Sequence, residues 1–184
     1  MQTLYHFSDD PGIAVFAPRT PVHRREVQPL VWAIDEWHAP MYFFPRDCPR
    51  ILYWPLPTTT SDDRVRWWGD GDAHMIACAE WGWLPRIRAT TLYRYTLPSD
   101  GFEDLGDAGM FVNREAVVPS AVEPVSDLLG ALQKARVELR LMPSLVPLRG
   151  VWDTTLHASG IRLRNAAGWE GGTSDPPPPS IAVR

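Results

Sequence analysis

The chain has 184 residues, 45% of them apolar and 22% charged, with a net charge of −4. That is about one domain's length with room for a real core, and its balance is that of an ordinary globular protein. Its basic residues, seventeen Arg and the single Lys134, are scattered and outnumbered by acids, which argues against binding long nucleic acid, a task that needs a basic stripe. Cys48 and Cys78 make no disulfide framework, no apolar run approaches the ~20 residues of a membrane helix, and MQTLYHFSDD lacks a signal-peptide pattern, so a reduced, cytoplasmic protein is expected.

Residues 3–7 read as a short strand ending in the turn cluster Ser8-Asp9-Asp10-Pro11-Gly12, and residues 13–16 as a second extended piece. Three prolines and mixed charge make 18–29 a loop; the apolar run 30–34 is a buried strand. Residues 35–44 can open a short helix, in which Pro40 must lie in the first turn or break it, and 50–56 form a strand closed by Pro55 and Pro57. Ser61-Asp62-Asp63 starts a helix; Gly69-Asp70-Gly71-Asp72 interrupts it, and Asp72 caps another over 73–84 with Ile76, Ala79 and Trp83 inward. Residues 92–97 are a strand and 98–109 a loop. Over 110–118 the alternation puts Phe111, Asn113, Glu115 and Val117 on one face of a strand. Ser126 caps a helix to 135 that buries Leu128, Leu129 and Leu132, and 137–141 alternates as a strand with one wet face. Ser144 starts a last helix bearing Leu145, Leu148, Trp152 and Leu156, stopped by Gly160. Trp67, Trp68, Trp81, Trp83 and Trp152, all on expected helices, belong to the core. The sum is a single α+β domain over 1–167, a mostly antiparallel sheet with flanking helices, and a disordered Gly/Pro-rich tail over 168–184.

Chemistry concentrates in residues 31–54, where rings, three acids, His38 and two arginines are interleaved. Trp32, Trp37, Tyr42 and Phe43 can stack on a flat ring such as adenine or nicotinamide, an interaction of about 0.5–1.5 kcal/mol beyond burial, or simply pack in a core. His6 reads either as a hydrogen-bonding group for a ligand hydroxyl or phosphate or as a strand histidine with backbone partners. Asp35, Glu36 and His38 match no closed metal signature, and His74 with Cys78 lacks a second pair, so no metal is expected. There is no G-x-S-x-G elbow, Walker loop or G-x-G-x-x-G turn. Glu115 shares its expected face with Phe111 and Val117, where a carboxylate is expensive to bury. It reads as a catalytic or hydroxyl-orienting acid, or as a salt-bridge partner of an arginine.

The stretches LYHFSDDPGIAVFAPR, VWAIDEWHAPMYFFPRDCPR and SGIRLRNA resemble a bacterial family of uncharacterised proteins, a domain of unknown function, from about Leu4 to Ala166. In layout the chain also resembles the ADP-ribosyltransferase superfamily: LYHFS supplies His6 and Ser8, VWAIDEWHAPMYF the second strand and helix, and FVNREAVVP Glu115. It departs from that pattern at Phe7, where Gly often follows the histidine, and at Trp32, where Tyr is usual. The resemblance implies a split antiparallel sheet and NAD as substrate, with no other cofactor firmly implied. His6 and Ser8 would hold the ribose end, Trp32 or Tyr42 would stack on nicotinamide, and Glu115 would assist transfer. The expected function is an NAD- or ADP-ribose-binding protein or an ADP-ribosyltransferase-like enzyme. The alternatives are a non-enzymatic interaction module docking through Trp37, Tyr42 and Phe43, or another nucleotide-processing enzyme.

Overall fold

A computed structural model describes residues 2–20 and 28–169. The expected tail from residue 170 onward and the middle of the 18–29 loop lie outside the described residues. In chain order the strands are β1 Leu4–Ser8, β2 Val31–Asp35, β3 Arg50–Trp54, β4 Met75–Glu80, β5 Leu92–Leu97, β6 Glu103–Asp104, β7 Met110–Asn113, β8 Ala121–Val125, β9 Val137–Met142 and β10 His157–Ile161. The α-helices are α1 Ser61–Asp63, α2 Leu84–Ala89 and α3 Leu128–Lys134. This is the expected α+β class, with mostly antiparallel strands in a 6-stranded and a 4-stranded sheet. Among the described residues no helix is long and apolar enough to cross a membrane.

The chain divides into two compact units. The first takes the residues up to Tyr42 together with Thr91–Ser126 and holds the sheet β6-β7-β2-β1-β5-β8, antiparallel throughout. One face of that sheet is the unit's core, where Leu4, Val31, Ala33, Tyr95, Leu97 and Phe111 pack with Phe16 and Val117. Each large apolar side chain so buried contributes about 1.5–3 kcal/mol. Phe16 and Val117 reach the core as a bridge, exchanging N–H···O bonds of 2.8 and 2.9 Å, so the expected strand over 13–16 is reduced to that contact. The Tyr95 hydroxyl donates to Asp10 O (2.6 Å) and accepts from Ile13 N–H (3.1 Å), which pins the turn after β1 over the core.

Two expectations in this unit are corrected. The helix over 35–44 is not there: Asp35 ends β2, and only the 3-10 turn Ala39–Tyr42 follows. Pro40 and Pro45 lack the N–H groups a longer helix would use. The strand over 110–118 stops at Asn113, whose Oδ1 accepts the Glu115 N–H (2.9 Å) while its Nδ2 donates to Asp100 O (3.4 Å). That side chain takes over the ladder's bonds and turns the backbone out of the sheet.

The second unit takes Phe43–Thr90 together with the described residues from Asp127 to Trp169, and holds the sheet β10-β3-β4-β9. Here the expected helix over 73–84 is replaced by β4, which is buried at all six positions between β3 and the parallel β9. A central strand covered on both faces shows no alternation, and the spacing of Ile76, Ala79 and Trp83 matched a helix by coincidence. Asp72 does not cap a helix; its carboxylate and carbonyl take the Arg136 guanidinium instead. His74 and Cys78 therefore share no helix face. The last helix is likewise a 3-10 segment, Val146–Asp153, and Gly160 lies inside β10. Thr60 and Asp127, each one residue from the expected cap, are the N-caps of α1 and α3. Trp68 is buried as expected, but Trp81 is 55% exposed.

Candidate functional site

The five residues singled out in the sequence do not meet on one surface. Leu4, Val31, Ala33 and Tyr95 belong to the core face, so strand alternation puts His6 and Ser8 on that face and Trp32 on the other. The His6 Nδ1–H donates to the Trp32 carbonyl (2.9 Å), and its ring lies 4.7 Å from that of Phe16. His6 thus meets the backbone of Trp32, not its indole. Ser8 is buried, and its Oγ accepts the Asp10 N–H (3.1 Å), holding the turn. Glu115 is exposed and lies beyond the end of β7. Residues 31–54 are themselves divided, Tyr42 closing one segment of the first unit and Phe43 opening the second. Of the three rings expected to form an exposed patch, Trp37 is 42% exposed whereas Phe43 is buried.

The sheet face opposite the core of the first unit carries Tyr5, Phe7, Trp32 and Arg94, with Phe7 and Arg94 paired in register. The Tyr42 ring stacks on Phe7 at 6.1 Å and 2°. The Arg94 guanidinium sits 5.0 Å above the Tyr5 ring and donates to Glu123 (2.5 Å). Two buried N–H groups here, Trp32 Nε1 and Arg94 Nε, have no hydrogen-bond partner among the described residues. Leaving such a donor unsatisfied costs about 1–3 kcal/mol, so an acceptor is called for.

At one end of this sheet Asp35 and His38 form a second feature. Asp35 Oδ1 accepts from both the backbone N–H and the Nδ1–H of His38, each at 2.8 Å. The side chains are 17% exposed. Gly109 lies against both, and its carbonyl accepts the Asp35 N–H (3.0 Å). Ala108 and Gly109 have φ of 44° and 66° in a turn closed by Met110 N–H to Asp107 O (2.9 Å). A left-handed Ala costs about 1–2 kcal/mol, and such strain often accompanies a functional constraint. Met110, the next residue, takes a weak hydrogen bond from the Tyr42 hydroxyl (3.5 Å), and the Trp37 ring packs 4.4 Å from that of His38. Sequence reasoning weighed Asp35 and His38 only as metal ligands and passed over Arg94 and Gly109. The Asp-x-x-His spacing was the one available signal.

The second unit has a different character. A cleft of about 490 Å³ lies between β9, α3 and the segment around Gly71, and none of the expected site residues lines it. Arg140 Nη1 donates to the Tyr53 hydroxyl (2.8 Å) and to Trp67 O (3.3 Å), while its Nε donates to Glu138 (2.7 Å). Burial pushes the thiols of Cys48 and Cys78 up to about 11, against the pull of Arg50 on the first and Arg140 on the second. Both thiols are buried and free, and at neutral pH they hold their protons.

The fold and this geometry define an α+β protein whose chemistry-bearing groups gather in the first unit, around stacked rings and a carboxylate–imidazole pair. The chain belongs to DUF6886, a family of unknown function, whose match spans residues 5–166. No curated protein and no solved structure matches it.

Proposed function

We propose that the first unit binds a small ligand of the nucleotide class, NAD or ADP-ribose first among them, on the sheet face bearing Phe7, Trp32 and Arg94. The observation that carries this is the buried Trp32 indole N–H, which has no partner among the described residues and shares its face with the Phe7–Tyr42 stack. A flat ring can stack on such aromatics, and a phosphate or carbonyl oxygen can accept from the orphaned donors. Trp32 and Tyr42 keep the ring-binding roles that the transferase resemblance implies. His6 acts from behind the sheet as a positioning residue through the Trp32 carbonyl. Exposed Glu115 is a weaker choice of reactive group than the enclosed Asp35–His38 pair, so the reading moves toward a nucleotide-processing enzyme in general. Calorimetry with NAD and with ADP-ribose tests it: saturable binding weakened by Trp32→Phe is expected, and no binding at millimolar ligand refutes it.

A further inference from the structure

We infer that Arg94 is the residue that grips a phosphate of the first unit's ligand, and that Glu123 is the counter-ion this phosphate displaces. The inference rests on the ligand reading above and names the ligand group that meets one end of the ring face. A guanidinium presents its Nε–H and an Nη2–H side by side, an edge that fits two oxygens of one carboxylate or phosphate. In Arg94 that edge is half filled. Glu123, in register with Arg94 across β5 and β8, takes Nη2 through Oε2 at 2.5 Å. Nε is buried without a hydrogen-bond partner among the described residues, so neither oxygen of Glu123 serves it. A single contact to one oxygen uses the charge of Arg94 and leaves its fork idle. The guanidinium is nevertheless held in place, 5.0 Å above the Tyr5 ring on the same face.

Glu123 is a weak competitor for this group. Its side chain is 57% exposed and that of Arg94 36%, and an ion pair between such groups contributes little in water. A phosphate offers two oxygens to the edge at once. The neighbouring groups set the class of ligand. Arginine and the indole N–H only donate, so Arg94 Nε and Trp32 Nε1, both on this face, call for acceptor oxygens. Phe7 is the cross-strand neighbour of Arg94, and Tyr42 stacks on Phe7. A phosphate on Arg94 therefore lies beside the rings. The ligand that meets both is a phosphorylated compound with a flat ring, not a free nucleoside or nicotinamide alone.

The test uses the full chain and calorimetric titration of ADP-ribose, adenosine and inorganic pyrophosphate. The parent is expected to bind ADP-ribose at least about tenfold more tightly than adenosine, the scale of one charge-assisted hydrogen bond. Arg94→Lys keeps the charge but lacks the edge, and is expected to weaken ADP-ribose and pyrophosphate about tenfold. Glu123→Gln is expected to tighten both about threefold, a gain that a purely structural salt bridge would not give. Thermal unfolding checks that each variant is folded; if Arg94→Lys is not, Glu123→Gln decides. Equal affinity of the parent and folded Arg94→Lys for ADP-ribose overturns the anchor, as does adenosine bound as tightly as ADP-ribose. Either result leaves the ring-face reading standing. A Glu123→Gln variant that binds no more tightly than the parent overturns the displaced counter-ion. Pyrophosphate bound through Arg94 with no nucleotide bound overturns the nucleotide reading and keeps the anchor. Binding of neither ADP-ribose nor pyrophosphate at millimolar concentration overturns both.

Discussion

Replacing Gly109 by Ala puts the close approach at the Asp35–His38 pair to a direct physical test. The backbone there has φ 66°, and forcing an L residue into that region costs about 1–2 kcal/mol. Gly106 has nearly the same φ, 65°, but nothing lies within 4 Å of a Cβ added there, so Gly106→Ala isolates the backbone cost. At Gly109 the added Cβ would stand 2.6 Å from Asp35 Cγ and within contact distance of the His38 ring. To make room the pair must separate, and losing a hydrogen bond to a charged group costs a further ~1.5–3 kcal/mol. The expected loss is therefore about 3–5 kcal/mol for Gly109→Ala against ~1–2 for Gly106→Ala. In urea unfolding followed by fluorescence, with slopes of ~1–3 kcal/mol/M, the two midpoints should differ by about 1 M. Equal losses, to within ~0.5 kcal/mol, would show that Asp35 and His38 yield freely and are not held against Gly109.

Other expectations concern the second unit. Arg140→Met removes the guanidinium's bonds to the Tyr53 hydroxyl and the Trp67 carbonyl, which keep the 3.4 Å bond from the hydroxyl to the carbonyl, and should lower the unfolding free energy by about 0.5–1.5 kcal/mol in the same assay. The cysteines give a pH signature. Their folded values of about 11 lie above the ordinary 9.0, so the folded state holds its protons longer than the unfolded one. Their stabilising effect is thus intact below pH 9 and declines as pH rises from about 9 toward about 11, by at most ~2–3 kcal/mol for each thiol. Unfolding curves at stepped alkaline pH should show that decline, with a shallower slope in a Cys48→Ala/Cys78→Ala variant. Native protein at pH 8 should likewise show no rapid reaction with a thiol reagent.

Strands with a clear period or a compact apolar run were legible from residues alone. VWAID, RILYW, LYRYTL and VELRLM all lie in strands near the expected bounds. MIACAE was not, because a strand buried on both faces loses the alternation that marks it. AVEPV escaped because Pro124 reads as a breaker, yet an edge strand tolerates proline where its N–H has no ladder to serve. HASGI is strand only through its pairing with β3, about a hundred residues earlier in the chain. At the site, the composition of residues 31–42 was legible and its geometry was not. Asp35 and His38 are three residues apart in sequence, but the wall against them comes from Gly109, brought there by the pairing of Ile34 with Met110. Glu115 was placed inside the strand because alternation was carried two residues past Asn113, whose side chain ends the ladder.

The central claim is that the first unit takes a nucleotide-class ligand on its ring face, and calorimetric titration of NAD and ADP-ribose into the parent and into Trp32→Phe tests it most directly. One saturable binding event is predicted for the parent. Removing the indole N–H should weaken it by about tenfold, near 1.4 kcal/mol, the scale of one buried hydrogen bond. Absence of heat with either ligand at millimolar concentration, or equal affinity for the parent and Trp32→Phe, would contradict the account.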